Sequence, residues 1–123
     1  MPRDPKPAKR KVANRDEWMM IRATKYGPCR VCGGMRFYPM GLHHIVPRSQ
    51  SGDDVPENLV PLCGTGTMGC HGEVENRDKS ARAKLRASLT PEEEAYVRER
   101  KGAAWLTRNY GPASPTSRGS TRT

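Results

Sequence analysis

GLHHIVPRSQSGDDVPENLVPLCGTGTMGCHG, residues 41–72, holds all three histidines of the chain and two of its four cysteines. The other two, Cys29 and Cys32, lie just upstream in GPCRVCGG (27–34). Within the stretch, LHHIV is short and rich in β-favouring residues, and Pro47 ends it. NLVPLC reads as a second short strand, with Pro61 favouring an edge or irregular position. RSQSGDDVPE between them is a polar loop, and GTGTMG is a flexible glycine-rich loop. CHGEVENRDKSARAKLRAS then reads as helical, with a break near Arg77 to Ser80. The order is strand, loop, strand, helix.

Outward from this segment the signals are helical. Asn14 followed by Glu17 forms a capping box, and RDEWMMIRATKY places Trp18, Ile21 and Met19 or Met20 on a face expected to pack onto the core, with Gly27 as a stop. Thr90-Pro91-Glu92-Glu93 starts a later helix that runs to about Lys101, where Gly102 ends it. AAWLTRNYG either packs back or frays. Residues 1–13 are basic and proline-rich and read as a disordered arm, and 111–123 as a disordered tail. One domain is expected over 14–110, with its motif core at 29–76 and C-terminal helices at 77–110.

The chain has 123 residues, 34% of them hydrophobic and 6% aromatic, which is lean for a packed domain. A domain of this size buries a smaller share of its surface than a large one, and small domains often need a metal or disulfides as a staple. The net charge of +9 favours a polyanionic partner. There is no apolar run of the roughly 20 residues that span a bilayer and no leader-like segment, so a membrane role is disfavoured and a reducing cytoplasm is expected. In that setting four cysteines point to metal ligation or free thiols rather than disulfides.

Cys29-x-x-Cys32 is a tight knuckle, and Cys63 and Cys70 are separated by six residues. Together they offer the four thiolates of a structural zinc site. The wide second spacing makes a loop rather than a turn, which its glycines permit. A thioredoxin-like motif would need a βαβ context that the sequence lacks.

Adjacent residues on a strand face opposite ways, so His43 and His44 cannot serve one role alike. One could bind a metal while the other acts on a substrate nearby. His71 directly follows Cys70, so a metal at Cys70 would fix where His71 begins. Asn58, before Leu59-Val60, could accept from a histidine ring or hold the loop.

LHHIVPRSQSGDDVPENLVPLC followed by Cys70-His71 resembles the HNH homing and phage endonucleases, and in particular their small phage-encoded members. The resemblance implies an α+β chain with a ββα-metal core, carrying the four-cysteine zinc site and flanked by helices. It implies His44 as the general base that takes a proton from the attacking water, and His43 and His71 as ligands of one catalytic divalent metal. Asn58 would hold the loop and help orient the base. The metal would stabilise the pentacoordinate phosphate and the departing 3′ oxygen, leaving 5′-phosphate and 3′-hydroxyl ends. Many members carry a further polar group one turn after the last histidine. Here that is Glu75, which either joins the metal site, directly or through water, or is a solvated helix residue. Magnesium or manganese is the expected ion, with nickel, cobalt and zinc as alternatives that suit imidazole.

By the same resemblance the partner is DNA, approached from the minor groove and held mainly through phosphates. The candidate contacts are Arg48, Arg77, Lys79, Arg82, Lys84 and Arg86, then Lys9, Arg10 and Lys11 on the arm; a solvated basic face is the plain alternative. Phage terminase subunits are a further partner suggested by the small phage members, and both monomer and homodimer are open. The competing function classes are a non-catalytic zinc module that binds nucleic acid, which would bind without cutting, and a thiol redox protein, which chelators would leave folded.

Overall fold

The computed structural model describes residues 10–113, so residues 1–9 of the expected arm and 114–123 of the expected tail lie outside the described residues. The element order is α1 (Arg15–Lys25), β1 (Met40–His44), β2 (Leu59–Cys63), α2 (Gly69–Glu75), α3 (Lys79–Ser88), α4 (Pro91–Lys101) and α5 (Ala103–Tyr110), with short 3₁₀ turns at Arg48–Gln50 and Pro56–Asn58. The fold is α+β, and β1, β2 and α2 form the ββα unit.

β1 and β2 pair antiparallel, with His43 opposite Val60 and His44 opposite Leu59. With two strands, each keeps an open edge, so Pro61 sits opposite Leu42 without a lost ladder bond, and its carbonyl accepts from the Arg30 amide at 3.0 Å. Ile45, Val46, Leu59, Val60, Leu62, Val74, Leu85, Val97 and Leu106 make the buried core. α5 packs back: Trp105, Leu106 and Tyr110 are buried.

Both expected capping boxes form, Asn14 with Glu17 and Thr90 with Glu93. α1 departs from expectation. Ile21 is its one buried residue, while Met19 and Met20 are 59% and 69% exposed. A two-stranded sheet is too narrow to cover a wide helix stripe, so α1 rests on β2 through a single row. Trp18 does not enter the core either; its ring stacks on His44, with centroids 6.1 Å apart.

The helical stretch after Cys70 breaks at 76–78, between α2 and α3. Gly64 (φ +95°) makes the preceding loop possible, since a Cβ there would lie 2.2 Å from the Met68 carbonyl. Glu93 of α4 is buried, bonded by Lys25 at 2.5 Å and by both Arg30 guanidinium nitrogens at 2.8 Å, which ties α4 to α1 and to the cysteine knuckle. No helix among the described residues is long and apolar enough to cross a membrane.

Candidate active site and metal centres

The knuckle closes through the Gly33 amide to the Cys29 carbonyl and the Cys29 amide to the Gly34 carbonyl, both 2.8 Å. Cys63 ends β2 and Cys70 is the second residue of α2. All four cysteines are free thiols, and their Sγ atoms lie within 4.8 Å of one another. Four thiolates about 2.3 Å from a tetrahedral zinc would sit about 3.8 Å apart; Cys32 and Cys63 are 3.8 Å apart. Burial opposes ionisation of Cys32, but the amides of Arg36 and Gly34 and the neighbouring thiols outweigh it and bring its pKa down to about 6. Burial and the neighbouring sulfurs push Cys70 up to about 12. So close a group cannot hold four negative charges unless a cation joins them, and the four sulfurs lie near enough to one another to hold one.

The second constellation is His43, His71 and Glu75, whose ligand atoms also fall within 4.8 Å of one another. His43 projects from β1 into the interior, and its Nε2 lies 2.9 Å from the Tyr110 hydroxyl. That hydroxyl donates its single proton to the Ile45 carbonyl at 2.8 Å. It can therefore only accept from His43, which fixes the proton of a neutral ring on Nε2. Nδ1 is left with a lone pair, 2.9 Å from Glu75 Oε2. Two acceptors at that distance need a cation between them, either a proton or a metal ion. Burial pushes the His43 pKa down against the pull of Glu75, which disfavours the protonated ring. Ligands at right angles, about 2.1 Å from an octahedral ion, lie about 3.0 Å apart. His71 Nε2 completes the group at 3.6 Å from Glu75 Oε2, one helical turn away. The absence of a Cβ at Gly41 leaves room for the His71 ring against β1. His71 Nδ1 is buried without a hydrogen bond.

His44 points to the other side of β1. Its Nε2 lies 2.8 Å from Asp54 Oδ1. A carboxylate there accepts a hydrogen bond from Nε2–H and leaves Nδ1 as the basic atom. Burial lowers the His44 pKa and Arg48 and Arg10 add to this, against the bond to Asp54, so the ring is neutral at pH 7. Asn58 is buried and staples the loop: its Oδ1 accepts from the Val46 amide at 2.8 Å, and its Nδ2 donates to the carbonyls of Val46 and Asp53 at 3.0 Å. It bonds the backbone and does not touch a histidine ring. His43, His44, His71 and Glu75 line one cavity of about 450 Å³, together with Trp18, Arg48, Arg77 and Arg82.

Residues 29–77 match the family model of the HNH endonucleases. The chain carries an HNH domain. No curated protein and no solved structure matches the chain. The HNH segment contains both constellations and ends at the α2–α3 turn, so α3, α4 and α5 lie beyond it.

The basic candidates divide once the HNH domain is in place. Arg48, Arg77 and Arg82 line its cavity. Arg82 is tied inward, donating to the carbonyls of Val74 and Asn109 at 2.8 Å. Lys79 lines a neighbouring cavity, and Lys84 is exposed elsewhere on α3. Arg86, a candidate DNA contact by sequence, is buried and bonded to Glu94 at 3.2 Å. Arg82 and Arg86 do share a helix stripe, but that stripe also carries Leu85 and Ala81 and turns inward.

The end of the expected mobile arm is held. The Ala13 amide and the Arg10 guanidinium donate to Asp54, and the Lys11 amide donates to Asp53 Oδ1. Asp54 and Tyr110 are the site residues that sequence reasoning missed. Asp53-Asp54 stood out only as adjacent acids in a strongly basic chain. Tyr110 had no signal beyond its place on an apolar helix, and its partner His43 is 67 residues away.

Proposed function

We propose that the chain is a metal-dependent endonuclease that hydrolyses phosphodiester bonds in DNA. The observation that carries this reading is the convergence of His44 with the His43, His71 and Glu75 group on one cavity rimmed by arginines. His43 Nδ1, His71 Nε2 and a Glu75 oxygen would hold the divalent cation, for which magnesium or manganese suits the mixed nitrogen and carboxylate donors. When bound, that ion supplies charge stabilisation to the phosphate and to the departing 3′ oxygen.

His44 acts as the general base, taking a proton from water on Nδ1 while Asp54 holds Nε2–H and fixes the ring's orientation. Trp18 stacks on the same ring and limits its rotation. Asn58 works at a distance, keeping the loop closed so that Asp54 stays opposite His44. Attack by that water with loss of the 3′ oxygen gives 5′-phosphate and 3′-hydroxyl ends. The four cysteines hold structural zinc and keep Cys70, and with it His71, in place. Arg48, Arg77 and Lys79 bind backbone phosphates. The likeness to small phage-encoded members supports a place beside a phage terminase in DNA packaging.

The test is incubation of supercoiled plasmid with zinc-loaded protein and added magnesium, manganese, nickel, cobalt or zinc in turn. Open-circle product signals nicking, and linear product that appears early signals paired subunits. Plasmid left intact with every ion defeats the reading in favour of a non-catalytic nucleic-acid-binding module.

A further inference from the structure

The HNH match ends at residue 77, but the cavity does not end there. A second cavity of about 520 Å³ lies beside the active-site cavity, and Arg77, Arg82, Asn109 and Tyr110 line both. The charged residues of the second cavity are Arg77, Lys79, Arg82 and Arg108, and no carboxylate lines it among the described residues. Arg77, Lys79 and Arg108 are exposed and make no ion pair among the described residues. Arg82 is half-buried and fixed by its two carbonyl bonds, so it forms a rigid cationic floor between the two cavities.

Arg77 adds a second, independent observation. α2 ends in a Schellman motif: the Asp78 amide bonds the Glu73 carbonyl at 2.9 Å and the Arg77 amide bonds the Val74 carbonyl at 3.1 Å. The residue after the cap in this motif is ordinarily glycine, because it must be left-handed. Here an arginine takes that conformation, at φ +64°. A side chain kept where the backbone disfavours any side chain points to a use for it. Its guanidinium reaches toward Asn109 of α5, at 3.4 Å, across the junction of the two cavities.

We propose that the groove between the α2–α3 turn and the end of α5 is a phosphate track that carries the DNA backbone flanking the cleaved bond, with Arg77, Lys79 and Arg108 as its contacts. The proposal rests on the nuclease reading for the identity of its polyanion. Guanidinium forks match phosphate oxygens in pairs, and the track is continuous with the cavity where the bond would break. Arg77 is the last residue of the HNH match, while Lys79 and Arg108 lie beyond it, so the track extends the matched segment with this chain's own C-terminal helices.

The test is fluorescence anisotropy of a labelled duplex with full-length, zinc-loaded protein and no catalytic metal, over a salt series. Each phosphate contact contributes about 0.9 to the slope of log K against log salt. The triple variant Arg77→Ala/Lys79→Ala/Arg108→Ala is expected to lower the slope by about 2 to 3. A charge-matched control, Arg15→Ala/Arg22→Ala/Arg98→Ala, touches neither cavity and is expected to lower it by less than about 1. Arg77→Gly separates binding from folding: it is expected to melt at or above the wild-type temperature while losing about 1 from the slope. Equal losses in the triple variant and the control, or an unchanged slope in the triple, overturn the track. Plasmid cleavage by the wild type is scored separately, so a wild type that does not cut defeats the nuclease reading without altering the slope comparison.

Discussion

Replacing Tyr110 with phenylalanine removes one oxygen and keeps the ring that packs against Trp105 and Arg82. That oxygen serves two buried groups, accepting from His43 Nε2 at 2.9 Å and donating to the Ile45 carbonyl at 2.8 Å. Both lose their partner, and both belong to buried residues. At about 1–3 kcal/mol for each of the two orphaned groups, the variant should lose roughly 2–6 kcal/mol of stability. The larger consequence concerns the metal. Without an acceptor on Nε2, the His43 proton is free to move to Nδ1, the atom that faces Glu75. Loss of a partner that orients a metal-binding histidine typically weakens metal affinity 10- to 100-fold. Calorimetric titration of zinc-loaded protein with manganese should show that loss. Glu75→Gln gives the opposite sign in the metal-free protein at pH 8: the repulsion between carboxylate and lone pair becomes an N–H to N hydrogen bond. Its melting temperature should therefore match or exceed the wild type's, while the rise that manganese gives the wild type disappears. A Tyr110→Phe protein that melts lower but binds manganese as tightly as the wild type would refute the tautomer reasoning.

His44→Ala should cut plasmid about 10²- to 10⁴-fold more slowly with zinc content unchanged. Because burial holds the His44 pKa below its ordinary 6.5, wild-type cleavage should persist through pH 6.5 and fall only below it, as the base becomes protonated. Asn58→Ala removes the side-chain partner of three backbone groups, the Val46 amide and the Val46 and Asp53 carbonyls, and urea unfolding should register a loss of at least about 3 kcal/mol. Glu93 is held below its ordinary 4.5: burial opposes this, but Arg30, Lys25 and the Thr90 amide outweigh it. Its contribution is therefore complete above pH 4.5 and lost as the pH falls below that value. Glu93→Gln should cost about 3 kcal/mol at pH 7, the low end for a broken buried pair because Lys25 and Arg30 stay partly exposed. The gap between variant and wild type in urea midpoint should shrink toward pH 3; a gap that stays constant would mean the ion pair is not its source.

The parts of the site that could be read from the sequence are those whose geometry is local. Cys29 and Cys32 share a turn, His71 follows Cys70, and Glu75 follows His71 by one helical turn; each relation holds before any tertiary contact forms. Strand alternation likewise separates His43 from His44 wherever β1 lies. What stayed hidden depends on where distant helices dock. Arg82 and Arg86 have the same spacing whether their stripe meets solvent or core, and it is the tertiary fold that buries Arg86 and pairs it with Glu94 of α4. Trp18 sits where a core residue belongs on α1, but the sheet beneath is too narrow to cover it, and His44 takes its face.

The two metal groups are joined more closely than their separate residues imply. β2 carries Cys63 at its end and Val60 opposite His43, and α2 carries Cys70 beside His71. The glycine-rich loop between these elements has no buried side chain of its own up to Met68. Its ends are instead fixed by the sulfurs at Cys63 and Cys70. A cation held by the cysteines would therefore set the start of α2, and with it the distance between His71 and His43 across the ββα unit. Tyr110 and Asp54 then act on the two histidines of β1 from opposite sides, one fixing the proton on His43 and the other the proton on His44. The adjacency of His43 and His44 has chemical value because two partners far apart in sequence hold the two rings in different states.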